Sequence, residues 1–147
     1  MNPKDKMNED LKQAMKSGDT ARKDALRFIL AAVKQAEVDS RKPLAEDQFY
    51  ALLQTEAKKR RDSVAELRKA GRNDMADKEQ AEVTLIESYL PEQMTREEVE
   101  AEAKKAIAES GATLAKEMGN VMKVLMPRVK GRADGKLVND VVRSLLG

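Results

Sequence analysis

The chain shows one hydrophobic pattern from end to end. Apolar residues recur at intervals of three and four positions, which is the spacing of a single face of an α-helix. The apolar–polar alternation that is typical of a half-buried strand does not occur in the sequence. Glycine or proline interrupts the helical pattern at Gly18, Pro43, Gly71, Pro91, Gly111 and Gly131. Because these residues punctuate helices, the pattern predicts seven helices and an all-α fold.

The first four predicted helices make up an N-terminal part. Its longest segment covers about residues 45–70, and Gly71 follows as the kind of residue that commonly ends a helix in the left-handed conformation. The preceding helix carries a broad apolar face that includes Phe28. The fourth helix stops before residues 91–94, which we predict to be a linker.

The remaining residues predict a small C-terminal part of three helices. Thr95 and Glu98 have the spacing of a capping box, in which each side chain bonds to the other residue's backbone N–H at the start of a helix. The two helices that follow also have strong apolar faces. We therefore predict a four-helix N-terminal domain at residues 1–93 and a three-helix C-terminal domain at residues 94–147.

The composition removes most kinds of enzyme chemistry. The chain has no cysteine and no histidine, so it lacks thiolates, disulfides, the usual neutral-pH general base and the commonest metal ligand. Its serines lie in no nucleophile-elbow context. The glutamates at 97–102 are on different sides of a helix and in its first turns, where acids favour the helix dipole. We predict no catalytic residue, no metal site and no cofactor.

The sequence also lacks the features of a secreted or membrane-spanning protein. Its first residues contain no apolar core of a signal peptide. No apolar run approaches the roughly 20 residues that a membrane-spanning helix needs. We therefore expect a cytoplasmic protein that does not enter a membrane.

Basic residues concentrate near the C-terminus, although the net charge of the whole chain is only +2. From Ala112 onward there are seven lysines and arginines against three acidic residues. Gly131 and Gly135 allow a sharp turn, and Asp134 is placed to cap the last helix. Such a cluster can bind a phosphate backbone through charge, without reading base sequence. The candidate phosphate-binding residues, called here the C-terminal basic cluster, are Lys123, Arg128, Lys130, Arg132, Lys136 and Arg143.

A second basic run lies in the long third helix. It consists of Lys58, Lys59, Arg60 and Arg61, and we expect it to assist binding of a phosphate backbone. The alternative is a charged helix whose bases pair with acids on the same helix, such as Glu56 with Arg60. The sequence leaves both interpretations open, for this run and for the C-terminal basic cluster.

Six short runs, spread over nearly the whole chain, resemble a known family. They are Lys59–Ser63, Lys69–Arg72, Ala76–Glu79, Ile86–Pro91, Gly119–Lys123 and Gly131–Asn139. In this order they are similar to the matching stretches of the GatB/YqeY family. That family comprises small freestanding YqeY-like proteins and the C-terminal tail domain of the B subunit of the tRNA-dependent amidotransferase.

The resemblance implies a partner. The tail domain of the amidotransferase contacts the outer corner of tRNA, so the run Gly131–Asn139 would face tRNA. The amidase and kinase-like cores of the complete enzyme have no counterpart in this sequence. We therefore favour a non-catalytic module that binds tRNA or another structured RNA.

Two other functions stay open. One is a protein–protein adaptor that associates with an aminoacyl-tRNA synthetase or an amidotransferase through its helix faces. The other, which we favour least, is a carbon–nitrogen ligase that uses glutamine as amido donor. That activity would be implied only by the family name, because the residues themselves offer no catalytic group.

Overall fold

A computed structural model describes residues 2–147. Within that range it contains seven α-helices, one 3-10 turn and no strand, so the predicted all-α fold is confirmed. The helices are α1 (Pro3–Ser17), α2 (Thr20–Ser40), α3 (Glu46–Lys69), α4 (Asn73–Glu87), α5 (Arg96–Ser110), α6 (Met118–Val129) and α7 (Gly135–Leu146). The 3-10 turn, Ala115–Glu117, lies directly before α6, and the hydrophobic pattern does not predict it.

The chain divides into two compact units. The first ends at Leu90 and contains α1–α4, and the second spans Pro91–Gly147 and contains α5–α7. The sequence places the boundary after residue 93 instead. That each part is an independent domain stays a prediction.

The helix ends form where the sequence indicates them. The Asp19 side chain caps α2 by accepting a hydrogen bond from the backbone N–H of Arg22 at 3.1 Å. Thr95 and Glu98 form the predicted capping box of α5, with both side-chain-to-backbone bonds at 3.2 Å. Gly71 follows α3 with a φ of 73°, which is the left-handed conformation that glycine adopts without steric cost.

Ion pairs between α3 and α4 flank the core of the first unit. Each pair joins an arginine of α3 to an acidic residue of α4 at 2.7–3.1 Å. The pairs are Arg60–Glu82, Arg61–Glu87 and Arg68–Asp77. The core itself is formed mainly by Met7, Leu26, Ile29, Val33, Phe49, Leu53, Ala57, Ile86 and Tyr89.

Phe28 lies outside this core, contrary to its predicted place on the apolar face of α2. Its side chain is 60% exposed. One face of its ring lies near the guanidinium of Arg60, whose Cζ is 4.8 Å from the ring centroid. A cation over an aromatic face is attracted by the ring quadrupole, so Arg60 and not the apolar core is the partner of this ring.

A buried polar contact joins α1 to the end of α4. The Tyr89 hydroxyl donates a hydrogen bond to Asp10 Oδ2 at 2.5 Å, and both residues are only 8% exposed. Lys6 Nζ donates to the same oxygen at 3.1 Å, and Arg22 Nη2 lies 3.7 Å away. Burial raises the pKa of Asp10, but the hydrogen bonds from Tyr89 and Lys6 outweigh it, so the net pKa is lowered. Burial and the hydrogen bond to Asp10 raise the pKa of Tyr89 to about 12.

The second unit is a three-helix assembly in which α5 packs against both α6 and α7. Pro127 lies inside α6, which ends two residues later at Val129. The buried residues of this unit are small and mostly β-branched, with no aromatic among them. They are Val99, Ala103, Ala106, Ala112, Val121, Leu125, Val129, Ala133, Val138, Val141 and Val142.

Replacing Tyr89 by Phe should destabilise the first unit. The change removes the hydrogen bond from the phenol to the Asp10 carboxylate, which keeps its bond from Lys6. A hydrogen bond to a charged group contributes about 1.5–3 kcal/mol. Chemical denaturation of wild type, Tyr89→Phe, Asp10→Asn and the double variant measures the coupling between the two side chains. A coupling energy of zero would show that the contact does not stabilise the fold.

Stability should also fall at high pH through Tyr89. Its pKa is raised from 10.0 to about 12 on folding. The stability from this neutral phenol is therefore fully present below pH 10 and is lost as the pH rises towards 12. Denaturation midpoints measured across this interval should fall more steeply for the wild type than for Tyr89→Phe. Parallel curves for the two proteins would contradict the assignment to Tyr89.

Candidate nucleic-acid interface

The turn between α6 and α7 is a fixed backbone structure, not an open loop. Gly131 is buried and has a φ of 73°, so its position favours glycine. The backbone N–H groups of Arg132 and Ala133 both donate to the carbonyl of Val129, at 2.9 and 3.1 Å. Asp134 occupies the N-cap position of α7 as predicted, but its side chain makes no capping hydrogen bond.

Three hydrogen bonds join the segment 92–94 to this turn. Gln93 Nε2 donates to the Gly131 carbonyl at 2.7 Å, and the Met94 backbone N–H donates to the Arg132 carbonyl at 2.7 Å. Arg132 Nε in turn donates to the Glu92 carbonyl at 3.1 Å. The predicted linker is thus part of the candidate site. The sequence does not reveal it, since these bonds end on backbone carbonyls that any residue carries.

Two arginines of the C-terminal basic cluster have partners inside the protein. Arg128, in the last turn of α6, forms an ion pair with Glu109 of α5. Arg132 is half-buried and uses Nε for the Glu92 carbonyl. These two side chains therefore help to hold the turn, whatever else they bind.

The other four bases of the cluster are exposed. Among residues 2–147, no carboxylate lies within ion-pair distance of Lys123, Lys136 or Arg143, and Lys130 is exposed at the turn itself. Lys136 and Arg143 are seven residues apart on α7, which places them two turns apart on one side of the helix. Lys123 lies on α6, away from its buried residues Val121 and Leu125. The described chain therefore presents unneutralised positive charge on both helices that flank the turn.

The bases of α3 are arranged differently. Arg60 is 9% exposed and bonds to Glu56 at 2.9 Å and to Glu82 at 3.1 Å, so the intrahelical pair anticipated for Glu56 is present. Arg61 pairs with Glu87 at 2.7 Å, and Lys59 lies 3.7 Å from Glu56. Lys58 is exposed, with no ion pair among the described residues. Their assistance in RNA binding stays a prediction.

Two features that other kinds of site require are absent from the described part of the chain. Its acidic residues form no group of three or more that could hold a metal ion. In the same part of the chain, no helix combines the length and the apolar composition that crossing a bilayer requires.

Replacing Gly131 by Ala should loosen the turn. An L-residue in the left-handed conformation is strained by roughly 1–2 kcal/mol, and the stability of the second unit should fall by that amount. Gly119→Ala is a matched control, because Gly119 lies in α6 with a helical φ and an added Cβ would meet nothing within 4 Å. Alanine there should leave stability unchanged or raise it by up to about 1 kcal/mol. Equal thermal unfolding of the two variants would show that the turn is not conformationally restricted.

Comparison with known proteins shows the family of the chain. The model of a family described as Yqey-like protein matches residues 4–146. Several curated relatives carry the name "Altered inheritance of mitochondria protein 41, mitochondrial". The relative from Eremothecium gossypii is 38% identical over 85 residues, which is 57% of this chain and 46% of the relative. The relative from Kluyveromyces lactis is 38% identical over 99 residues, which is 65% of this chain and 53% of the relative.

A third relative aligns over a much longer stretch. The protein of the same name from Pyrenophora tritici-repentis is 30% identical over 144 residues, which is 97% of this chain and 80% of the relative. The chain spans about half the length of the first two relatives.

These names correct one expectation from the sequence. The relatives are named as mitochondrial proteins, so the expected cytoplasmic location is wrong. The absence of an apolar leader argues only against a secretory signal, because mitochondrial targeting segments are amphipathic and basic. Since the family model covers nearly the whole sequence, the chain belongs to the YqeY-like protein family.

Proposed function

We propose that this protein is a non-catalytic module that binds tRNA, or another structured RNA, through the phosphate backbone. The observation that carries the proposal is the exposure of Lys123, Lys136 and Arg143 without acidic partners, on the helices that flank a fixed basic turn. Positive side chains that are already neutralised by carboxylates gain little from a phosphate. Unpaired ones release the counterions that surround the polyanion, and this release drives binding.

The distribution of aromatic residues supports contact with the backbone of the RNA and not with its bases. The four aromatic residues of the chain all precede residue 90, so the second unit has none. Recognition of single-stranded bases depends on aromatic stacking. A basic surface without such rings suits the backbone of a folded RNA.

The α3 bases have a smaller part in the proposal. Arg60 and Arg61 are engaged by acidic residues of α3 and α4, so a phosphate would have to compete with carboxylates at 2.7–3.1 Å. Lys58 is the member of this run that can assist without breaking an ion pair. We therefore assign the main interface to the second unit.

The names of the relatives bear on where such binding would occur. They connect those proteins with mitochondria and with the inheritance of mitochondria. The resemblance to the amidotransferase tail connects the basic turn with tRNA. We propose that both connections, to mitochondria and to tRNA, fit a protein that associates with tRNA-handling enzymes. Such an enzyme would be an aminoacyl-tRNA synthetase or an amidotransferase.

Replacing Lys123, Lys136 and Arg143 together by Ala should weaken tRNA binding by roughly tenfold or more. Because each lost phosphate contact removes about 0.7–0.9 from the slope of log K against log salt, the slope should become shallower by roughly 2–3. Fluorescence anisotropy with bulk tRNA over a salt series measures both quantities. These three residues are preferable to Arg128 and Arg132, whose loss would also disturb the turn.

The matched control removes the same charge from the first unit. Lys16, Lys34 and Lys42 are exposed, and their replacement by Ala should leave the salt slope unchanged. Equal losses in both triple variants would indicate a net-charge effect and would contradict an interface at the basic cluster. Failure of the wild type to bind tRNA even at low salt would overturn the RNA proposal. A complex with protein partners that persists at high salt would then favour the adaptor function, since apolar contacts are not screened.

A further inference from the structure

The three hydrogen bonds between segment 92–94 and the turn suggest a role for Arg132 beyond its charge. Its guanidinium has five N–H groups, of which Nε–H is directed to the Glu92 carbonyl at 3.1 Å. Within residues 2–147, the terminal nitrogens of Arg132 donate no hydrogen bond to the protein. Arg132 is half-buried, so the side chain is held while part of its surface stays accessible.

We infer that Arg132 is a bridging residue, which holds the Glu92 carbonyl through Nε and binds an RNA phosphate through its terminal nitrogens. The inference depends on the proposed function and adds a consequence to it. A planar guanidinium binds a phosphate through two parallel N–H groups, and this fixes the plane of the whole group. With that plane fixed, Nε stays directed at the Glu92 carbonyl. Phosphate binding therefore stiffens the segment 92–94.

The Met94 amide reports this stiffening directly. Its N–H donates to the Arg132 carbonyl at 2.7 Å, so it exchanges with solvent only when the segment separates from the turn. If phosphate binding stabilises the closed arrangement, exchange of this amide must slow. By reciprocity, a segment that is already closed must bind the RNA more tightly than an open one.

Hydrogen exchange of the full chain with and without bulk tRNA tests the inference. We expect the Met94 amide to exchange at least about fivefold more slowly with tRNA, which is the low end of usual coupling strengths. The Gly111 amide, which donates to the Ile107 carbonyl at 3.0 Å at the end of α5, is the internal control and should not change. No slowing at Met94 while tRNA binds would overturn the bridging role and leave the proposed function standing.

Arg132→Lys separates bridging from charge. Lysine keeps the positive charge but has a single ammonium group, which cannot serve the carbonyl and the phosphate in the same geometry. The affinity of this variant for tRNA should therefore depend on salt in a similar way. Its Met94 amide, however, should exchange at the same rate without and with tRNA, so that the ratio of the two rates is one. Arg27→Lys in the first unit is the matched control, because Arg27 is exposed and has no ion-pair partner among the described residues, and it should keep the full ratio.

Each remaining outcome is also decisive. If tRNA slows exchange at Met94 equally in Arg132→Lys and in the wild type, charge alone is sufficient. That result would overturn the bridging role. Equal loss of the slowing in Arg132→Lys and Arg27→Lys would show that the effect does not depend on the bridge and would also overturn it. Absence of any tRNA binding would remove the proposed function, and the bridge to phosphate with it.

Discussion

The second unit is closed by hydrogen bonds between the segment 92–94 and the turn that follows α6. Gly131 reverses the chain in a left-handed conformation, and the carbonyls of Gly131 and Arg132 then accept bonds from Gln93 and Met94. The start of α5 is thereby fixed to the connection between the other two helices. The buried core of this unit consists mostly of valine and alanine, and these hydrogen bonds close its backbone in addition to the apolar packing. The basic side chains around the turn depend on it for their positions.

A basic side chain is available to a polyanion only if nearby carboxylates do not already neutralise it. The number of basic residues in a stretch does not decide this. The arginines of α3 stand opposite acidic residues of α4, and the two helices form a charge-paired hairpin. Arg60 is the extreme case, because it is buried between Glu56 and Glu82 and covers one face of Phe28. In the last two helices acidic residues are few, and Lys136 and Arg143 have no such neighbour within ion-pair distance in the described chain. Two basic stretches of one sequence can thus differ in how far neighbouring carboxylates neutralise them.

The sequence predicts the helices well because their determinants are local. Apolar periodicity, the Thr95–Glu98 capping box and the glycine after α3 all act within one or two turns of the chain. The exposure of Phe28 could not be predicted in this way, because it depends on Arg60 of a different helix. The contribution of Gln93 could not be predicted either, since its acceptor is a backbone carbonyl 38 positions away. Local signals therefore define the elements and the candidate bases, whereas long-range contacts decide which bases have partners.

The charge distribution of the second unit constrains how it would bind RNA. Residues 92–111 carry six glutamates against three basic residues, whereas the rest of the unit is strongly basic. The opposite net charges of the two regions nearly cancel, and fields beyond about 8–10 Å are in addition screened at physiological salt. Long-range steering of a polyanion would therefore be weak, and attraction would act only once the RNA is close to α6 and α7. Binding at such an interface gains little from the net charge of the unit and depends on a few side chains that are already in place. The turn held by segment 92–94 supplies this preformed arrangement.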